Sequence, residues 1–129
     1  NEQSQKAVET YFEDPRDGLI FANFIDFDML YGHRRDPAGY AASLRQTDQW
    51  LAGFLPRLRE GDLLILTADH GNDPTWHGTD HTREIVPVLA YEPGKPVRNL
   101  GISTGYFAIA QSLATWFGID PMPRGTSFL

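Results

Sequence analysis

Two short apolar runs, 19-LIFANFID-26 and 63-LLILTAD-69, flank a segment in which Leu44, Leu51, Leu55 and Leu58 recur at intervals of seven, four and three. Nothing else in the chain restricts its fold as much. The runs are short and bounded by Gly or charge, which reads as buried strands. The leucine spacing is one face of a long helix from Asp36-Pro37 to about Arg59. Pro37 suits the first turn, where its missing N–H costs nothing, and Pro56 bends or breaks the last one. Strand, helix, strand in succession implies parallel strands and a right-handed crossover. The run 85-IVPVLAY-91 reads as a third strand, with Pro87 at an edge or an irregular start. Further helices are expected over 4–13, behind Ser4, and over 104–118, capped by Ser103-Thr104 and ending at Gly118. Asp14-Pro15-Arg16-Asp17-Gly18 is a turn signal between them. The order is that of an α/β domain.

The 129 residues suit one compact domain spanning 1–129. A net charge of -6 argues against nucleic acid as a partner, because duplex affinity rests on clustered Lys and Arg. Cysteine is absent, which excludes disulfides, thiolate metal ligands and a cysteine nucleophile. No apolar run approaches the roughly 20 residues that span a bilayer. The opening stretch NEQSQKAVETYFED is polar and acidic, unlike a signal peptide. A cytoplasmic protein with no membrane partner is expected.

Chemistry concentrates in two places. The segment 67-TADHGNDPTWHGTDH-81 holds three Asp and three of the four His, and the fourth, His33, lies in 25-IDFDMLYGHRRD-36. In an open α/β sheet, ligands collect beyond the carboxyl ends of the strands. Asp26 and Asp28 fall at the end of the first expected strand, Asp69 and His70 at the end of the second, and His81 just ahead of the third. Oxygen and imidazole donors without sulfur suit Mn²⁺, Zn²⁺ or Fe. They exceed the three protein ligands of one catalytic zinc and match a pair of ions about 3.5–4 Å apart. A lone Asp-His pair at a strand end would more simply cap a turn; it is the clustering in two loops that favours metal. His77, between Trp76 and Gly78, reads as a solvent-facing loop residue. Arg34 and Arg35 read equally as a phosphate clamp or as surface partners of Asp36 or Glu84. Arg83 and Glu84 could form a pair that orients His81. Trp50, Trp76 and Trp116 read as packing residues.

TADHGNDPTWHGTDHTRE together with FIDFDMLYGHRRD resembles the C-terminal part of the phosphopentomutase family, within the alkaline phosphatase superfamily, from about Gly18 through Thr126. Cofactor-independent phosphoglycerate mutases share ADHGN, but their first metal loop looks like GHTG where this chain has Gly32-His33-Arg34-Arg35. The resemblance implies an alkaline-phosphatase-like core, a mostly parallel sheet flanked by helices. It implies interconversion of ribose or deoxyribose 1-phosphate and 5-phosphate through a phosphothreonine. Two Mn²⁺ ions are implied, with Zn²⁺ or another divalent ion as substitute, and a sugar bisphosphate as activator. By position, Asp28, His33 and His81 would hold one ion and Asp69 and His70 the other, while Asp26 and His77 match no ligand.

The family's cap domain, its N-terminal strand with a further aspartate ligand, and its nucleophilic threonine have no counterpart between Asn1 and Gly18. A fragment inactive by itself is therefore expected, with a pentose phosphate and the N-terminal part of the same enzyme as partners. Two other readings stand beside this one. The first is a metal-dependent phosphatase or a phosphoglycerate mutase relative, with the same metals and another acceptor. The second is a non-catalytic metal-binding module completed by a partner chain.

Overall fold

A computed structural model describes residues 1–14 and 16–129; the turn read at Pro15 lies outside the described residues. The chain forms two compact units, Asn1–Lys95 and Pro96–Leu129. The first contains helix α1 (Glu2–Phe12), a π-helical turn (Phe27–Gly32), helix α2 (Pro37–Phe54) running into a 3-10 turn (Leu55–Arg57), and strands β1 (Leu64–Thr67) and β2 (Val88–Tyr91). The second contains helix α3 (Phe107–Phe117).

Helix α2 starts as its sequence dictates. Asp36 accepts a hydrogen bond from the Gly39 N–H and Pro37 occupies the first turn. The α-helix ends at Phe54, and Pro56 sits in the tighter turn that follows. Its buried face differs from the leucine stripe, since Leu44 is half exposed while Phe54 is only 3% exposed. Aromatic rings explain the change. Phe54 meets Phe12 of α1 edge-on, with centroids 5.2 Å apart, and stacks on Trp50 at 5.0 Å. Trp50 also meets Phe24 at 5.6 Å, and its indole N–H donates to Glu9 at 2.8 Å. The Arg57 guanidinium lies over both the Phe12 and Phe54 rings and pairs with Glu13. Leu51 and Leu55 point another way, into an apolar groove that they share with Leu64, Leu66 and Leu89.

The expected parallel sheet is not what forms. β1 and β2 pair antiparallel, with Leu64 opposite Tyr91 and Thr67 opposite Val88, and they are the only strands among the described residues. The physical reason is the connection. Parallel neighbours need a crossover, usually helical, whereas the link between β1 and β2 contains no helix. An isolated antiparallel bridge between Gly71 and Thr82 continues the hairpin into the loop. The first expected strand is also absent. Residues 19–24 form no regular structure, with Leu19 60% and Phe21 83% exposed, Ile25 opens a turn, and 27–32 wind into the π-turn instead. A strand needs a neighbour to accept its backbone hydrogen bonds, and no described residue pairs with this one.

In the second unit, α3 begins after Tyr106, whose side chain makes no capping bond, so Ser103-Thr104 is not its cap. Gly118 closes it in the left-handed conformation (φ 62°), as its position past the last apolar residue predicts. The buried Ser112 hydroxyl donates to the Ala108 carbonyl at 2.8 Å and accepts from the Phe128 N–H at 3.0 Å, tying the tail to the helix. Gln111 adds a bond from the Met122 N–H at 2.8 Å.

Candidate metal centre

The π-turn brings the first two donors together. Asp28 and His33 are five residues apart, a separation that on an α-helix turns them about 140° from each other. Here the His33 N–H bonds to the Asp28 carbonyl at 2.9 Å, the i to i+5 pattern that brings residue 33 round above residue 28. The turn then stops on Arg35 in the left-handed conformation (φ 55°) before Asp36 caps α2.

His81 arrives from the long β1–β2 loop, which is held in shape at several points. The Thr82 N–H donates to the Gly71 carbonyl at 3.0 Å, and the Asp73 N–H to the Thr82 hydroxyl at 2.8 Å. Asp73 in turn accepts from both the N–H and hydroxyl of Thr75, and that pairing holds its carboxyl below the usual carboxylate range.

One ligand atom each from Asp28, His33 and His81 lies within 4.8 Å of the others. His33 Nε2 is 3.3 Å from Asp28 Oδ2, and His81 Nε2 is 3.4 Å from Asp28 Oδ1. His33 Nδ1 lies 2.5 Å from the Thr79 carbonyl oxygen. A carbonyl only accepts, so Nδ1 is the donor there, and Nε2 is the ring nitrogen turned toward Asp28. His70 follows the same rule, with Nδ1 3.1 Å from the Gly71 carbonyl and Nε2 4.0 Å from Asp28 Oδ1. Its ring stacks on His81 with centroids 3.6 Å apart. Burial pushes the Tyr40 phenol upward, and the nearby Asp28 charge acts in the same direction. One carboxylate and imidazoles presenting Nε2 form a donor set that fits a divalent ion such as Mn²⁺ or Zn²⁺.

The remaining expected residues spread around this cluster. Asp69 follows β1 with its side chain 83% exposed, Oδ1 3.6 Å from His70 Nε2 and outside the three-residue group. Asp26 lies against Asn1, whose side-chain Oδ1 accepts from the Asp26 N–H at 3.0 Å. His77 is exposed and lies against Trp76, itself 52% exposed and so not a packing residue. Arg34 and Arg35 are exposed, and neither forms the ion pair with Asp36 or Glu84 that their sequence position allows. Arg83 and Glu84 are exposed too and do not pair with each other; the Glu84 carboxylate packs over Gly71 instead. The group that orients the His33 imidazole is the Thr79 carbonyl. A main-chain oxygen has no residue signature, which is why the sequence does not reveal it.

A family model described as "Metalloenzyme superfamily" matches residues 1–121. A phosphopentomutase of Rhizobium leguminosarum bv. trifolii is 52% identical over 130 aligned positions, covering 100% of this chain and 32% of that protein. A phosphopentomutase of Chromohalobacter salexigens is 59% identical over 115 positions, 86% of this chain and 28% of its own length. A third, of Rhizobium rhizogenes, is 56% identical over 118 positions, 91% of this chain and 29% of its own. The chain therefore spans about a third of the length of the curated relatives it matches. No helix among the described residues is long and apolar enough to cross a membrane.

Proposed function

This chain belongs to the metalloenzyme superfamily, and from that premise we propose that it is the metal-binding part of a phosphopentomutase, an isomerase that interconverts ribose or deoxyribose 1-phosphate and 5-phosphate. The observation that carries the reading is the meeting of Asp28, His33 and His81 within 4.8 Å on two loops otherwise far apart in sequence. Relatives bearing that name at 52–59% identity support it.

In this reading Asp28, His33 and His81 hold one divalent ion, and Asp69 and His70 contribute to a second, with Mn²⁺ as the expected metal. Such ions supply charge neutralisation of a phosphoryl group in transfer and a lowered pKa for the accepting hydroxyl. This chain's own residues do preparatory work. The Thr79 and Gly71 carbonyls engage Nδ1 of His33 and His70, which leaves Nε2 as the nitrogen each ring offers to an ion. The π-turn sets the Asp28–His33 separation before any ligand arrives. Arg34 and Arg35, exposed beside His33 and without an ion pair among the described residues, are the candidates to meet the substrate phosphate.

The phosphorylated threonine, and the site for a sugar bisphosphate activator, are assigned to the part of the enzyme outside this matched third. The reaction belongs to nucleoside salvage, with the cytoplasm as its expected compartment. The test is conversion of ribose 1-phosphate to ribose 5-phosphate by the full-length enzyme, alongside its Asp28→Ala and His81→Ala variants. Each variant is expected to lose nearly all turnover and one bound ion by metal analysis. Wild-type turnover in either would refute the ligand assignment, and a full-length enzyme that hydrolysed the sugar phosphate without isomerising it would make the protein a phosphatase.

A further inference from the structure

Asp28 has a partner that is not a metal-ligand type. Asn72 Nδ2 lies 2.5 Å from Asp28 Oδ1, the same oxygen that faces His81 at 3.4 Å and His70 at 4.0 Å. Asp28 Oδ2 is left facing His33. A carboxylate accepts only, so the Asn72 amide must present its NH₂ here. Space for that amide comes from Gly32, which is buried on the π-turn. A Cβ added at Gly32 would fall 2.5 Å from the Asn72 Cγ and 2.6 Å from its Oδ1. The Asn72 backbone is held between the Gly71–Thr82 bridge and the Asp73–Thr82 bond.

Resting on the metal-site reading above, we propose that Asn72 is a positioning residue for Asp28. Its amide occupies one carboxylate oxygen and sets the plane of the group, and Gly32 is the gap that admits it. Alanine at 72 removes the donor. Aspartate would place an acceptor against an acceptor, and glutamine is one methylene too long for the gap. Alanine at 32 acts indirectly, by displacing the Asn72 amide.

The interlock makes a specific pattern. Mn²⁺ binding is measured by titration calorimetry on the wild-type protein, Asn72→Ala, Gly32→Ala, the double variant, and Asp28→Ala as reference. Circular dichroism melts of the metal-free proteins run in parallel. Removing a group that orients a metal ligand lowers metal affinity by about 10–100-fold. That loss is expected in Asn72→Ala, with a metal-free melting temperature close to that of wild type, which a purely structural role would not produce. Gly32→Ala is expected to weaken binding similarly. The double variant should be no weaker than Asn72→Ala alone, because the Asn72 amide atoms nearest to the new Cβ are then gone. Affinity of Asn72→Ala within twofold of wild type, or losses that multiply in the double variant, would overturn the proposal while leaving the metal site intact. Undiminished binding by Asp28→Ala would instead overturn both the metal site and this role.

Discussion

Phe54→Ala tests the packing that holds the first unit together. Phe54 is 3% exposed and faces two rings, Phe12 edge-on at 5.2 Å and Trp50 stacked at 5.0 Å. Truncating a buried Phe to Ala costs about 3–5 kcal/mol, and each aromatic pair contributes roughly 0.5–1.5 kcal/mol beyond its buried area. With two such pairs lost, and one of the two rings beneath Arg57 removed, the expected destabilisation is about 4 kcal/mol. A urea slope of about 1–3 kcal/mol/M then moves the unfolding midpoint down by roughly 1.3–4 M. The assay is urea unfolding followed by far-UV circular dichroism, because Trp50 fluorescence itself changes when its stacking partner is removed. Tyr11→Ala is the control. Its side chain, next to Phe12 but 66% exposed, should cost no more than about 0.5 kcal/mol. A Phe54→Ala loss below about 1 kcal/mol, or no larger than that of Tyr11→Ala, would refute the aromatic cluster as the anchor between α1 and α2.

Two glycines of α2 should respond in opposite directions to alanine. Gly53 has open space at its Cβ position, so Gly53→Ala is expected to raise stability by up to about 1 kcal/mol. At Gly39 the added methyl would strike Asp36 and come within 2.6 Å of the Tyr31 ring, so thermal melts should show Gly39→Ala destabilised despite the same propensity gain. Equal effects at the two sites would disprove the packing argument. In the second unit, Ser112→Ala removes the acceptor of the Phe128 N–H. One hydrogen bond has a net worth of roughly 0.5–1.5 kcal/mol, so the Phe128 amide should exchange with deuterium about 2–10-fold faster by NMR. Unchanged protection would mean the tail is held by other contacts.

The helices were legible because their signals are local. Asp36-Pro37 at the start of α2 and Gly118 at the end of α3 act within one turn of themselves. Strand direction was not, because it depends on the connection rather than on the strands. Pro74 and Gly78 disfavour a helix between β1 and β2, and without one an antiparallel pair is the accessible arrangement. The run 19–26 has a strand's composition, yet a strand is a relation between two segments, and composition names only one of them. That Asp28, His33 and His81 come together was readable from their clustering in two segments, although the expected route to that meeting, parallel strand ends, is not the one that forms. Asn72 and Gly32 went unread because neither is a carboxylate or imidazole, the residue types on which the site reading rested.

The π-turn also bears on how related chains should be compared. Between Asp28 and His33 the number of intervening residues is as much a part of the site as their identity, since the hydrogen bond that aligns the two donors closes over that interval. Substitutions at Met29 and Leu30, both exposed, leave the interval intact, whereas loss of either residue would swing the imidazole away from the carboxylate. An alignment that opens a gap inside 28–33 is therefore asserting that the Asp28–His33 pairing is broken, and one that opens it in the exposed stretch before Phe24 asserts almost nothing.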